Sequence, residues 1–260
     1  VAHEAQSTER GRVDPDSLPF PATGLEFTTR TLTPEYMTQA FRKAVDGWGP
    51  DLVFLTHGYT LKPYLAIALA QYPLAARYYA HELLCARDAL RFKDGKPCPK
   101  NYFETPEDCR RCALESQKRA IIMGPRRTWT SDYLAAKAYA PGYYETLLKS
   151  LRVTDTLLVN NPGIQSELEK VHHDVQVFHP GVNIADFPVI PPPCRRPDEK
   201  KVVLLAGRAE DPLKGLDTLL AAGERLARQR NDFEIWATHF DHTLSGGFFK
   251  ALGWQDHASA

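Results

Sequence analysis

The stretch from Val202 to Leu226, VVLLAGRAEDPLKGLDTLLAAGERL, constrains the fold of this chain more than any other. An apolar run, Val202-Val203-Leu204-Leu205-Ala206, is too short and too β-branched for a helix and reads as a strand buried on both faces. Gly207-Arg208 ends it, a polar loop follows, and Lys214-Gly215 opens an amphipathic helix. A strand feeding a helix through a cationic loop is a natural anion site. The free N–H groups of the first helical turn and the helix dipole both favour negative charge. Arg208 and Lys214 add two full charges, so the ligand expected here is a diphosphate and the reaction one in which a diphosphate leaves.

The same alternation recurs upstream. Thr33 is placed to N-cap a helix over 33–46, with Pro34 at its first position. Leu52 to Leu55, Ala75 to Tyr79, Thr156 to Val159 and Val175 to Phe178 read as short buried strands. Helices are expected over Lys62 to Gln71 and from Pro162 to about Val171. Strands alternating with helices predict an α/β fold with doubly wound parallel sheets. Ligands in such sheets bind at the carboxyl ends of the strands. His57, His81, Asn160 and Arg208 all fall at such ends.

The segment Pro188–Pro197 carries five prolines in PVIPPPCRRP. That density permits neither helix nor ladder and predicts a stiff connector. The expected organisation is therefore an N-terminal domain over 1–187, a linker over 188–200 and a second α/β domain over 201–260. The opening VAHEAQSTERGRVDPD does not read as the first strand of a domain. The chain starts at Val1 rather than Met and stops at Ala260 inside an ongoing pattern, so both ends read as cut.

Lys plus Arg and Asp plus Glu both number 32, so no bulk nucleic-acid footprint is expected. No apolar run approaches the ~20 residues needed to span a bilayer, and no signal-peptide core precedes residue 30. A cytoplasmic chain is expected. The cations of Lys118 to Arg127, with Trp129, Tyr133, Tyr139, Tyr143 and Tyr144, read first as a helical face packing into the N-terminal domain. Peripheral contact with the inner face of a membrane is the second reading.

Cys85, Cys98, Cys109 and Cys112 are spaced C-x12-C-x10-C-x2-C in a turn-rich insertion over 85–112. Three readings stay open: a structural zinc held by four thiolates, disulfides, or four free thiols. Cys194, in the linker, reads as free.

The order of these elements resembles that of the retaining glycosyltransferases of family 4. PDLVFLTHGY, YYAHE, DTLLVNNPGIQSELEKV, VFHPGVNIADF and VVLLAGRAEDPLKGLDTLLAA are similar to five successive segments of that family, covering most of Trp48 to Trp236. The resemblance implies a GT-B fold of two Rossmann-like domains, the N-terminal one on the acceptor side and the C-terminal one binding the donor. It implies transfer of a sugar from a nucleotide-diphosphate sugar to a glycan or lipid-linked acceptor, with retention. Gly207, Arg208, Lys214 and Gly215 would hold the donor diphosphate, which makes a catalytic metal unnecessary. His81 would meet the transferring sugar, with Glu82 orienting it or touching the acceptor. His57, Asn160 and Gly181, the last placed to take a positive-φ turn, are further candidates.

Some family members carry a similar cysteine-rich insertion. The family's glycine-rich loop and its pair of donor-contacting glutamates are absent, and the Arg208–Lys214 spacing is one residue longer than its commonest form. This piece alone would then be inactive. The alternatives are another enzyme on the same fold, a nucleotide-sugar epimerase or a phosphorylase, and a non-catalytic, zinc-stapled module that binds a glycan or a partner.

Overall fold

The computed structural model describes residues 2–4, 18–28, 30–31, 33–56, 59–87, 90–93, 96–123, 140–181, 184–186, 199–207, 209, 214–238 and 245–253. The chain divides into two units, Val1–Val182 and Asn183–Ala260. The expected proline-rich linker lies almost wholly outside the described residues, as does Cys194.

The first unit is built on four parallel strands: β3 (Val53–Leu55), β4 (Leu74–Tyr78), β7 (Thr156–Val159) and β8 (Val175–Val177), lying side by side in that order. Before them, β1 (Ala2–Glu4) and β2 (Leu25–Phe27) form a separate parallel pair. The opening segment, not read from the sequence as a domain's first strand, therefore does begin with one, at Ala2–Glu4. Its three residues are too short for the alternation that marks one.

The helix α1 (Pro34–Trp48) begins where the sequence puts it. Thr33 is extended, its hydroxyl accepts the Tyr36 N–H, and Gly49 closes the helix in the left-handed region at φ 60°. A 3₁₀ turn over Tyr59–Leu61 leads into α2 (Lys62–Ala68), shorter than expected because the chain turns at Leu69. Pro63 costs nothing at the helix start, where its missing N–H would have no partner.

The interval between β4 and β7 holds more order than its turn-rich sequence promises. The strand β5 (Phe92–Lys93) pairs antiparallel with β6 (Lys96–Pro97), and α3 runs over Pro106–Met123. The helix α4 (Tyr143–Val153) then packs on α2 and buries Tyr143, Leu147 and Leu151. Each such side chain contributes roughly 1.5–3 kcal/mol by leaving water. Residues 124–139 lie outside the description, and with them Trp129, Tyr133, Tyr139 and most of the expected cationic helical face.

Asn161 N-caps α5 (Pro162–Leu168) through the Ile164 N–H, 3.0 Å away. One core gathers Leu65, Leu69, Leu74, Tyr78, Leu157, Val159, Ile164 and Leu168.

The second unit carries three parallel strands in the order β11 (Phe249–Ala251), β10 (Phe233–Ala237), β9 (Lys201–Leu205), with α6 (Leu216–Ala227) between β9 and β10 in sequence. Its core is Leu216, Phe233, Ile235, Ala237, Phe249 and Ala251. Gly223 of α6 faces Ile235 and the Phe248 ring, where any Cβ would collide. Each unit is thus a parallel α/β structure of Rossmann-like type. No helix among the described residues is long and apolar enough to cross a membrane.

Candidate functional site

In the second unit the candidate site is the turn from β9 into α6. Gly207 stands at φ 107°, a conformation that a side chain disfavours. Its carbonyl accepts the Ala209 N–H at 3.0 Å and the Thr238 hydroxyl, which tethers the turn to the end of β10. Gly215, the N-cap of α6, stands at φ 78°, and Leu219 donates to its carbonyl. Among the described residues no side chain caps this helix, whose first N–H groups have no partner within the helix itself. Lys214 sits at the entry, exposed to solvent. Asp217 in the first turn works against an anion there, and Lys214 offsets it. Arg208 lies outside the described residues.

In the first unit the candidates collect at the carboxyl edge of the four-stranded sheet. Register explains why: Tyr78 pairs with Val159 and Val159 with Val177, so the residues that follow emerge side by side. These are Tyr79 to Glu82 after β4, Asn160 after β7 and Phe178 after β8. His57 follows β3 and lies outside the described residues.

The turn after β4 is strained. Ala80 takes φ 47° without being glycine, and the His81 carbonyl accepts the N–H groups of Leu84 and Cys85 at 2.9 and 3.0 Å. Backbone strain of this kind gathers at functional turns. Nδ1 of His81 is buried without a hydrogen-bond partner. Burial holds the imidazole below its ordinary pKa, the Arg91 charge pushes the same way, and Glu167 opposes them. Burial and Arg91 thus both favour the uncharged imidazole of His81.

Glu82 is already engaged. Oε1 accepts the Tyr79 N–H at 3.1 Å, and Oε2 accepts Nζ of Lys62 at 3.1 Å. Lys62 is fully buried. It also donates to the Arg77 carbonyl at 2.5 Å and lies 4.2 Å from the centre of the Tyr78 ring. Burial lowers the Lys62 pKa, while Glu82 holds it up. The pair locks the start of α2 to the turn carrying His81, across twenty residues of sequence. Beside it a cavity of about 20 Å³, room for roughly one water, is lined in part by Thr60, Tyr78, Glu82 and Cys85. The Tyr78 hydroxyl finds no partner there, and burial pushes its pKa up.

Two features differ from the sequence reading. Gly181 is exposed and does not take a positive φ, whereas Ala80 in the turn after β4 does. Arg77, which the sequence reading passed over, reaches the same edge. Its guanidinium carbon lies 4.7 Å from the Tyr79 ring centre and 4.9 Å from that of Phe178. Its Nη2 donates to Asn160 Oδ1 at 3.4 Å.

The four cysteines are reduced. Cys109 and Cys112 lie one turn apart on α3. Burial raises the Cys109 thiol pKa. The Thr105 hydroxyl, 3.6 Å away, lowers it, and the thiols of Cys85, Cys98 and Cys112 are near enough to raise it further. Among the described residues, however, no three His, Cys, Asp or Glu side chains converge so as to hold a metal ion. The expected four-thiolate zinc set is thus not seen among the described residues.

No protein-family model matches the chain, and no curated protein matches it. Among the solved structures similar to it are two of bacterial proteins. One is the MnaA protein of S. aureus in a co-structure with UDP, at 12% identity and a TM-score of 0.39. The other is from Listeria monocytogenes and is assigned as a UDP-N-acetylglucosamine 2-epimerase, at 11% identity and a TM-score of 0.42. Each likeness covers 91% of this chain and 56% of the other, so the chain spans little more than half the length of either.

Proposed function

We propose that this chain processes a nucleotide-diphosphate sugar, and that it serves to transfer the sugar, with retention, to a glycan or lipid-linked acceptor. The observation that carries the reading is the β9–α6 turn. Two left-handed glycines, Gly207 and Gly215, shape a loop that ends on an uncapped helix N-terminus with Lys214 exposed beside it.

In this reading Gly207 and Gly215 let the backbone N–H groups approach the diphosphate, and Arg208 and Lys214 neutralise it. Charge on the departing diphosphate grows as the sugar–oxygen bond breaks. Donors placed for that charge stabilise the transition state more than the bound substrate. Lys214 and Arg208 supply the compensation that a metal would otherwise provide. On the first unit, neutral His81 is the group offered to the sugar or the acceptor, and Asn160 stands at the same sheet edge. Glu82 acts through the turn, since both its oxygens are already held.

The test uses the intact protein with UDP-, GDP- and ADP-linked sugars, with and without an oligosaccharide acceptor. Acceptor-dependent release of nucleoside diphosphate supports transfer. Interconversion of the sugar without acceptor shows an epimerase instead. Binding of a glycan with no turnover of any donor shows a binding module.

A further inference from the structure

We propose that Arg77, clamped between Tyr79 and Phe178 at the carboxyl edge of the first sheet, binds a two-oxygen anion, a phosphate or a carboxylate. The inference concerns a different unit from the diphosphate turn and stands or falls separately from it.

Three observations carry it. The first is an unbalanced charge. Among the described residues Arg77 has no carboxylate partner, and its one side-chain hydrogen bond is the 3.4 Å contact to Asn160. Its Nε is buried with no partner at all. A half-buried guanidinium pays for lost hydration, and a chain that offers it no anion leaves room for one from outside.

The second is pre-organisation. The rings of Tyr79 and Phe178 hold the guanidinium at 4.7 and 4.9 Å, so the planar fork keeps one orientation and spends little entropy on binding. A fork of this shape matches two oxygens of one anion. Asn160 uses its Oδ1 on Arg77, which leaves its amide N–H groups to donate beside the fork.

The third is place. Arg77 reaches the end of the parallel sheet where ligands of such folds bind. Phe178 is 42% exposed, and His179, Pro180 and Gly181 beyond it are exposed as well, so that edge is open to solvent.

The experiment is nuclear magnetic resonance of arginine side-chain N–H groups in the chain, titrated with inorganic phosphate and, separately, with acetate. The Arg77 Nε signal is assigned by its loss in Arg77→Lys or, if that variant does not fold, through its bonds to the Arg77 backbone. Because the signal is local, binding at the β9–α6 turn does not imitate it. The expected result is a saturable shift with one of the two anions, weakened several-fold in Asn160→Ala. Saturation by phosphate alone assigns a phosphate ligand, and saturation by acetate a carboxylate. No shift with either anion, or a shift that rises linearly without saturating, overturns the proposal.

Discussion

Nζ of Lys62 lies 3.1 Å from Oε2 of Glu82, with the lysine side chain fully buried and the glutamate 10% exposed. The bond joins the first turn of α2 to the turn that carries His81. Removing one member of such a pair strands the other in a poorly solvated site, at a cost of about 3–5 kcal/mol. Lys62→Met should therefore lower Tm by roughly 10 °C. Glu82→Gln should cost less, because the lowered pKa of Lys62 lets it shed its proton and the amide still bonds. A double variant, Lys62→Met with Glu82→Gln, should recover part of the loss. Thermal melts of the three variants check this, and strictly additive losses would show that the pair is not coupled.

Gly223 tests the packing of α6 on β10. An alanine would gain about 1 kcal/mol of helix propensity. Its Cβ would also meet the Phe248 ring and sit 2.8 Å from Cδ1 of Ile235. Overpacking a core of this kind costs about 1–3 kcal/mol. Overpacking should win, so Gly223→Ala should destabilise the second unit in chemical denaturation. A gain in stability would mean that the helix stands further from the strand.

Not all of this is legible in the sequence. Local signals were sufficient where one residue type decides the backbone: Thr33 and Pro34 start α1, Asn161 and Pro162 start α5, and Thr156 to Val159 is a strand over its full expected length. The helix α3 was hidden by the turn-forming residues around it, although Thr105-Pro106-Glu107-Asp108 is a serviceable helix start. The partnership of Lys62 with Glu82 depends on how α2 lies on the sheet, which spacing cannot reveal. Arg77 is a lone cation in an apolar strand. Only the register that brings Phe178 and Asn160 alongside gives it meaning. At Gly181 the residue type misled, because a glycine that can take a positive φ need not do so.

His81 gives a pH dependence. Its folded pKa lies below the ordinary 6.5, mainly through burial. Between the two values the unfolded chain binds more protons, so stability rises with pH there. The His81 contribution is present above 6.5 and is lost as pH falls through the folded value. Wild type should lose more thermal stability than His81→Gln between about pH 7.5 and about pH 5.5. Parallel losses in the two proteins would mean that His81 titrates as a solvated imidazole.

Calorimetric titration reads out whether the β9–α6 turn holds a diphosphate. UDP, GDP and ADP are each compared with their monophosphates, in wild type and in Lys214→Ala. A charge-assisted hydrogen bond to phosphate contributes about 1.5–3 kcal/mol, or about tenfold or more in Kd. At least one diphosphate should bind tighter than its monophosphate, and Lys214→Ala should remove about tenfold of that advantage. Equal binding of di- and monophosphates in wild type, or an unchanged preference in Lys214→Ala, would contradict the account.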